Sequence, residues 1–70
     1  MKLSARNQLS GTVKSVKNGV LMAEVVVALD GGQEIVSVIT VSSAQGLSLA
    51  PGKKVFAVVK STEVMIGIED

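Results

Sequence analysis

Seventy residues, 47% of them hydrophobic, with no cysteine, no histidine and a net charge of +1, make one small domain over residues 1–70. Such a chain cannot be cross-linked by disulfides, has no imidazole or thiolate for a transition metal, and offers no broad field to nucleic acid or a membrane surface. A domain of this size buries only about 60% of its unfolded surface, so at a mean hydropathy of +0.51 the device left for hiding the apolar excess is assembly of several copies.

The chain opens with a polar island, SARNQL at Ser4–Leu9. Arg6, Asn7 and Gln8 stand where the apolar core of a signal peptide would be. No apolar run reaches the ~18 residues of a membrane span, because VLMAEVVVAL is interrupted by Glu24. The expectation is a cytoplasmic protein with no membrane partner.

A first strand is expected over Leu9–Lys17. Asn18-Gly19 reads as a type I′ hairpin turn, which needs positive φ at both central residues. A second strand, Val20–Leu29, places Leu21, Ala23, Val25, Val27 and Leu29 on one face. Val20, Met22, Glu24, Val26 and Ala28 lie on the other. Asp30-Gly31-Gly32 marks the next turn, and a third strand runs over Glu34–Val41. Serines that can cap and a glycine that can terminate suggest one or two helical turns over Ser42–Leu47. Pro51-Gly52 suits a type II turn, ahead of a fourth strand at Lys54–Lys60 and a fifth at Glu63–Ile68. Five strands with a short helix between the third and fourth is the order of an all-β, OB-like Greek-key barrel. An SH3-like or Sm-like barrel is the alternative. The second and fourth strands are apolar on both faces, which a single small barrel cannot bury. A homo-oligomer follows.

Catalysis is not expected. No nucleophile has a histidine or cysteine partner, no serine sits in a GxSxG-type elbow, and the six acidic residues are scattered. An OB-fold often holds single-stranded nucleic acid in a basic groove with stacked aromatics. Here the one aromatic is Phe56, and no nucleic-acid partner is expected. A nucleic-acid module and a purely structural oligomer stay as the competing readings. What remains is a set of hydrogen-bond donors: Ser4, Arg6 and Asn7 before the first strand, Thr40 and Ser43 around the start of the helix, and Lys60, Ser61 and Thr62 after the fourth strand. A solvated terminus, a helix cap and a plain turn are the ordinary readings of these three places. Taken together, cations and hydroxyls without adjacent carboxylates, Glu63 excepted, also suit an oxyanion.

SARNQL at Ser4–Leu9, Gly11, AEV at Ala23–Val25, IT at Ile39-Thr40 and AVVKSTEVMI at Ala57–Ile66 together resemble the molybdenum-binding Mop domain, whose free-standing members are called molbindins. The resemblance spans nearly the whole chain. It implies a homohexamer built as a trimer of dimers. The implied ligand is molybdate, with tungstate as a substitute, bound at subunit interfaces for molybdenum storage and homeostasis. Carried over residue by residue, the oxyanion ligands would be Ser4, Arg6, Lys60 and Ser61, with Asn7 as a weaker contributor. Thr40 and Ser43 would come from across an interface.

Overall fold

The computed structural model describes residues 1–70. It contains β1 (Asn7–Asn18), β2 (Met22–Leu29), β3 (Glu34–Thr40), α1 (Val41–Gly46), β4 (Lys54–Val59) and a single 3₁₀ turn at Ser61–Glu63. The four strands form one antiparallel sheet in the order β3-β2-β1-β4. The long first strand makes this possible. Its first half pairs with β4, from Asn7↔Val59 to Thr12↔Lys54. Its later part pairs with β2, from Gly11↔Leu29 to Asn18↔Ala23. Lys14 is an extra residue between the pairs Val13↔Val27 and Ser15↔Val26. A bulge of this kind bends a strand and increases its twist, and the sheet curls into an OB-like half-barrel.

Alternation decides what the curl encloses. Val13, Ala23, Val25 and Val27 are buried, together with Ala44 from α1. Val16, Leu29, Ile35, Ile39, Leu49 and Val55 pack against the valine cluster. Only 6 of 70 residues are buried, so the inner face is half covered. The outer faces of β3 and β4 leave Val36, Val38, Phe56 and Val58 exposed, as strands apolar on both sides require.

Two turns follow their sequence chemistry. Gly32 has φ +98°, and its N–H donates to the Leu29 carbonyl at 2.9 Å. Gly52 has φ +94° after Pro51, with the Lys53 N–H donating to the Ala50 carbonyl at 3.1 Å, the arrangement of a type II turn.

Three expectations need correction. Asn18-Gly19 is not a type I′ turn, because neither residue has positive φ. The ladder ends at Asn18↔Ala23, and the Gly19 N–H closes a wider loop on the Met22 carbonyl at 2.8 Å. Leu21 accordingly lies outside β2 and is exposed rather than in the core. The fifth strand, Glu63–Ile68, does not form. Lys60, Ser61 and Thr62 include no glycine or asparagine to take the positive φ of a tight hairpin. The chain instead makes a 3₁₀ turn, with the Glu63 N–H on the Lys60 carbonyl at 2.9 Å. It leaves with Met65, Ile66 and Ile68 at 93%, 87% and 90% exposure. The barrel therefore has four strands and an open side. No helix is long and apolar enough to cross a membrane.

Candidate anion-binding site

The first and third polar islands meet through strand register. Asn7↔Val59 is the outermost pair of the β1–β4 ladder. The next residues outward are Arg6 on one strand and Lys60 on the other. Neither is neutralised: the only ion pair in the molecule joins Lys14 Nζ to Glu34 at 2.6 Å, at the surface. Asn7 and Ser61 share the lining of a cavity of about 420 Å³ whose other walls are Leu9, Ile35, Val59 and Val64. Two polar groups thus stand over an apolar floor. Ser4, Arg6, Lys60 and Ser61 are all exposed. Glu63, the one carboxylate nearby in sequence, forms no ion pair with either cation.

The second island stands elsewhere. Thr40 is the N-cap of α1: its Oγ1 accepts from the Ser43 N–H at 3.0 Å and donates to Ser43 Oγ at 2.8 Å. The ordinary cap reading therefore holds for Thr40, and its hydroxyl is occupied in both directions. The Ser43 hydroxyl accepts from Thr40 and keeps its own proton to donate. Thr40 pairs with Met22, at the Asn18 end of the sheet. Ile35, which lines the cavity beside Asn7 and Ser61, lies five positions back along β3, roughly 17 Å at ~3.3 Å per residue. Arg6, Asn7, Lys60 and Ser61 therefore lie at one end of the β1–β4 ladder, and Thr40 and Ser43 at another place; Ser4 precedes the ladder by three residues.

Gln8 belongs to the first island as well, though not to its donor set. Gln8 Nε2 donates to the Ala5 carbonyl at 2.7 Å, a half-buried bond that spans Arg6. An amide inside a polar run just ahead of a strand is the signal that could have drawn notice, since such side chains often close local backbone turns.

The TOBE domain family model matches residues 3–66 of this small OB-like half-barrel. The chain belongs to the TOBE domain family and, within it, to the molybdenum-pterin-binding proteins. It is 50% identical over 66 residues to molybdenum-pterin-binding protein 2 of Clostridium pasteurianum, aligning 94% of this chain with 97% of that one. Its fold matches a molybdate-binding protein from Sporomusa ovata with a TM-score of 0.90 at 44% identity, covering 97% of this chain and all of that one. It also matches the molybdate-bound form of the cytoplasmic molybdate-binding protein ModG, with a TM-score of 0.93 at 45% identity. That match covers 99% of this chain and 49% of ModG.

Proposed function

We propose that this chain binds molybdate, and tungstate in its place, at interfaces of a homo-oligomer, and that it stores and buffers molybdenum in the cytoplasm without catalysing a reaction. The observation that carries the reading is that Arg6 and Lys60 are the residues just beyond the last rung of the β1–β4 ladder, with no carboxylate bound to either. Molybdate is a tetrahedral dianion that accepts hydrogen bonds and donates none. A guanidinium fork and an ammonium balance its charge, while Ser4, Ser61 and Asn7 supply further donors. A unit charge pair at 4 Å is worth about 4 kcal/mol at an effective dielectric near 20, and desolvation of the ion offsets much of that. Charge-assisted hydrogen bonds add about 1.5–3 kcal/mol each. Four to six of them reach about micromolar affinity after the cost of association.

Two further features support assembly. Ser43, whose hydroxyl keeps its own proton, lies too far from Arg6 to share a tetrahedral ion within one chain, so its donor would come from a second copy, with Thr40 holding the Ser43 hydroxyl in place. The open side of the half-barrel is an apolar groove of about 370 Å³, lined by Val25, Val27, Ile35, Ile39 and Val55 among others, and the Val64–Ile68 segment is uncovered. A neighbour's segment seated along an open edge would bury both and complete the barrel. A hexamer arranged as a trimer of dimers is the assembly we favour. The described relatives, which bind molybdate, support the ligand, and the cytoplasmic ModG supports the compartment.

Selectivity follows from charge and size. Phosphate near neutral pH is partly monoprotonated and brings a proton that a serine hydroxyl or the Asn7 carbonyl must turn to accept, at the loss of a donor to the anion. Sulfate has the same charge as molybdate but is smaller and fills the enclosure poorly. Titration calorimetry with molybdate, tungstate and sulfate tests the reading. Molybdate and tungstate are expected to bind and sulfate to bind far more weakly. Arg6→Ala is expected to lower molybdate affinity about tenfold or more, which is ~1.4 kcal/mol. Unchanged affinity in that variant would remove Arg6 from the site. Native mass spectrometry of the same samples reads the number of subunits and of bound anions together. A monomer that carries molybdate would refute the interface.

A further inference from the structure

The arm that carries Ser4 and Arg6 precedes the first ladder residue, Asn7, and no backbone hydrogen bond of any turn or loop reaches residues 1–6. One side chain ties it down. Gln8 Nε2 donates to the Ala5 carbonyl at 2.7 Å, and this is the only side-chain hydrogen bond made to the arm. The bond closes a short loop around Arg6 and Asn7, anchored on the strand side by Gln8↔Val58 in the β1–β4 ladder. We infer that Gln8 is a positioning residue for the anion site, holding the arm that carries Ser4 and Arg6 in place at the end of the β1–β4 ladder. This rests on the oxyanion reading above.

The physical argument is pre-organisation. An arm without this tie samples many backbone states, and each of its residues must be frozen when the anion binds. With the amide bond made, that ordering is already present in the free protein, and binding no longer bears it. Gln8 reaches Ala5 because its side chain is one carbon longer than that of asparagine. An apolar side chain of the same length fills the space without the donor.

The test is Gln8→Met, which keeps length and removes the N–H. Molybdate affinity is expected to fall about tenfold through lost pre-organisation. The melting temperature of the molybdate-free protein is expected to stay within about a degree or two, because the arm lies outside the core. A purely structural role would do the reverse, lowering the melting temperature and leaving the affinity alone. The ¹⁵N heteronuclear NOE at Ala5 and Arg6 is expected to drop in the variant. Wild-type affinity in Gln8→Met, with molybdate bound normally by the wild type, overturns the positioning role and leaves the oxyanion reading standing. No molybdate binding by the wild type overturns the oxyanion reading, and the positioning role with it. Should the variant not fold, the wild-type protein decides: slow exchange of the Gln8 side-chain amide protons supports the tie, and exchange at the rate of a free glutamine refutes it.

Discussion

A β-carbon built on Gly11 would lie 2.6 Å from the Ala28 carbonyl oxygen and 2.8 Å from Val27 Cγ1. The nearer obstacle is backbone in the facing strand, so it cannot rotate away. Gly11→Ala is expected to destabilise the protein by about 1–3 kcal/mol, the range for an overpacked interior; urea unfolding measures it. The reason for glycine here is close approach rather than turn geometry, since Gly11 is not at positive φ. Ser48 presents the opposite case. It is the one non-glycine residue at positive φ, +54°, where an L side chain costs about 1–2 kcal/mol. Ser48→Gly removes that cost and adds about 0.5–1 kcal/mol of unfolded-chain entropy. The net expectation is a stabilisation of about 0.5–1 kcal/mol, read as a higher urea midpoint. Local spacing signals neither backbone requirement. Gly11 sits in a run that reads as ordinary strand, and the helix terminator suggested there, Gly46, is in fact the last helical residue.

The helix shows how little local sequence is needed to bound an element and how its caps divide labour. At its start Thr40 accepts from the Ser43 N–H. At its end the Ser48 N–H bonds the Gln45 carbonyl at 2.9 Å and the Leu49 N–H bonds the Ala44 carbonyl at 3.0 Å, the paired closure of a Schellman motif. Lys53 Nζ donates to the Leu47 carbonyl as well. Thr40→Ala is expected to cost about 1 kcal/mol in unfolding free energy as a lost N-cap, and Thr40→Ser to recover most of it. Equal stability of the threonine and alanine forms would mean that the cap is idle. Strand β1 is the other element whose behaviour decides the site. Its length lets it serve two partners, and its bulge at Lys14 turns a flat pairing into a curl. The sequence signals this only as a strand of unremarkable composition. Five of the six expected elements are present, because alternation and turn residues act over a few positions. The sixth fails at its turn rather than in its own residues: Val64–Ile68 is strand-like, but Lys60–Thr62 does not reverse the chain onto β4.

At the scale of the molecule the unsolved problem of the single chain is its surface. A core of a few valines and alanines faces a groove open between the edges of β3 and β4, and the last apolar segment points into solvent. Ile66→Asp tests what this means. The residue is 87% exposed in the single chain, so the substitution is expected to change monomer stability by less than about 0.5 kcal/mol. If the segment is buried by a neighbour, a carboxylate there must be desolvated, and the assembly is expected to dissociate in sedimentation velocity, with molybdate binding lost alongside. An unchanged oligomer would mean the segment lies outside every contact. The amino-acid sequence by itself determined the all-β class, two of the three tight turns and the buried face of β2 from Ala23 to Val27, because side-chain type and period-two alternation act locally. Only the tertiary structure decided that Arg6 and Lys60 lie just beyond the same end of the β1–β4 ladder while Thr40 and Ser43 lie at the far end of β3, and that the fifth strand finds no place in its own sheet. Those are matters of register and edge pairing, set by which distant strands meet, and no short stretch of sequence contains both partners.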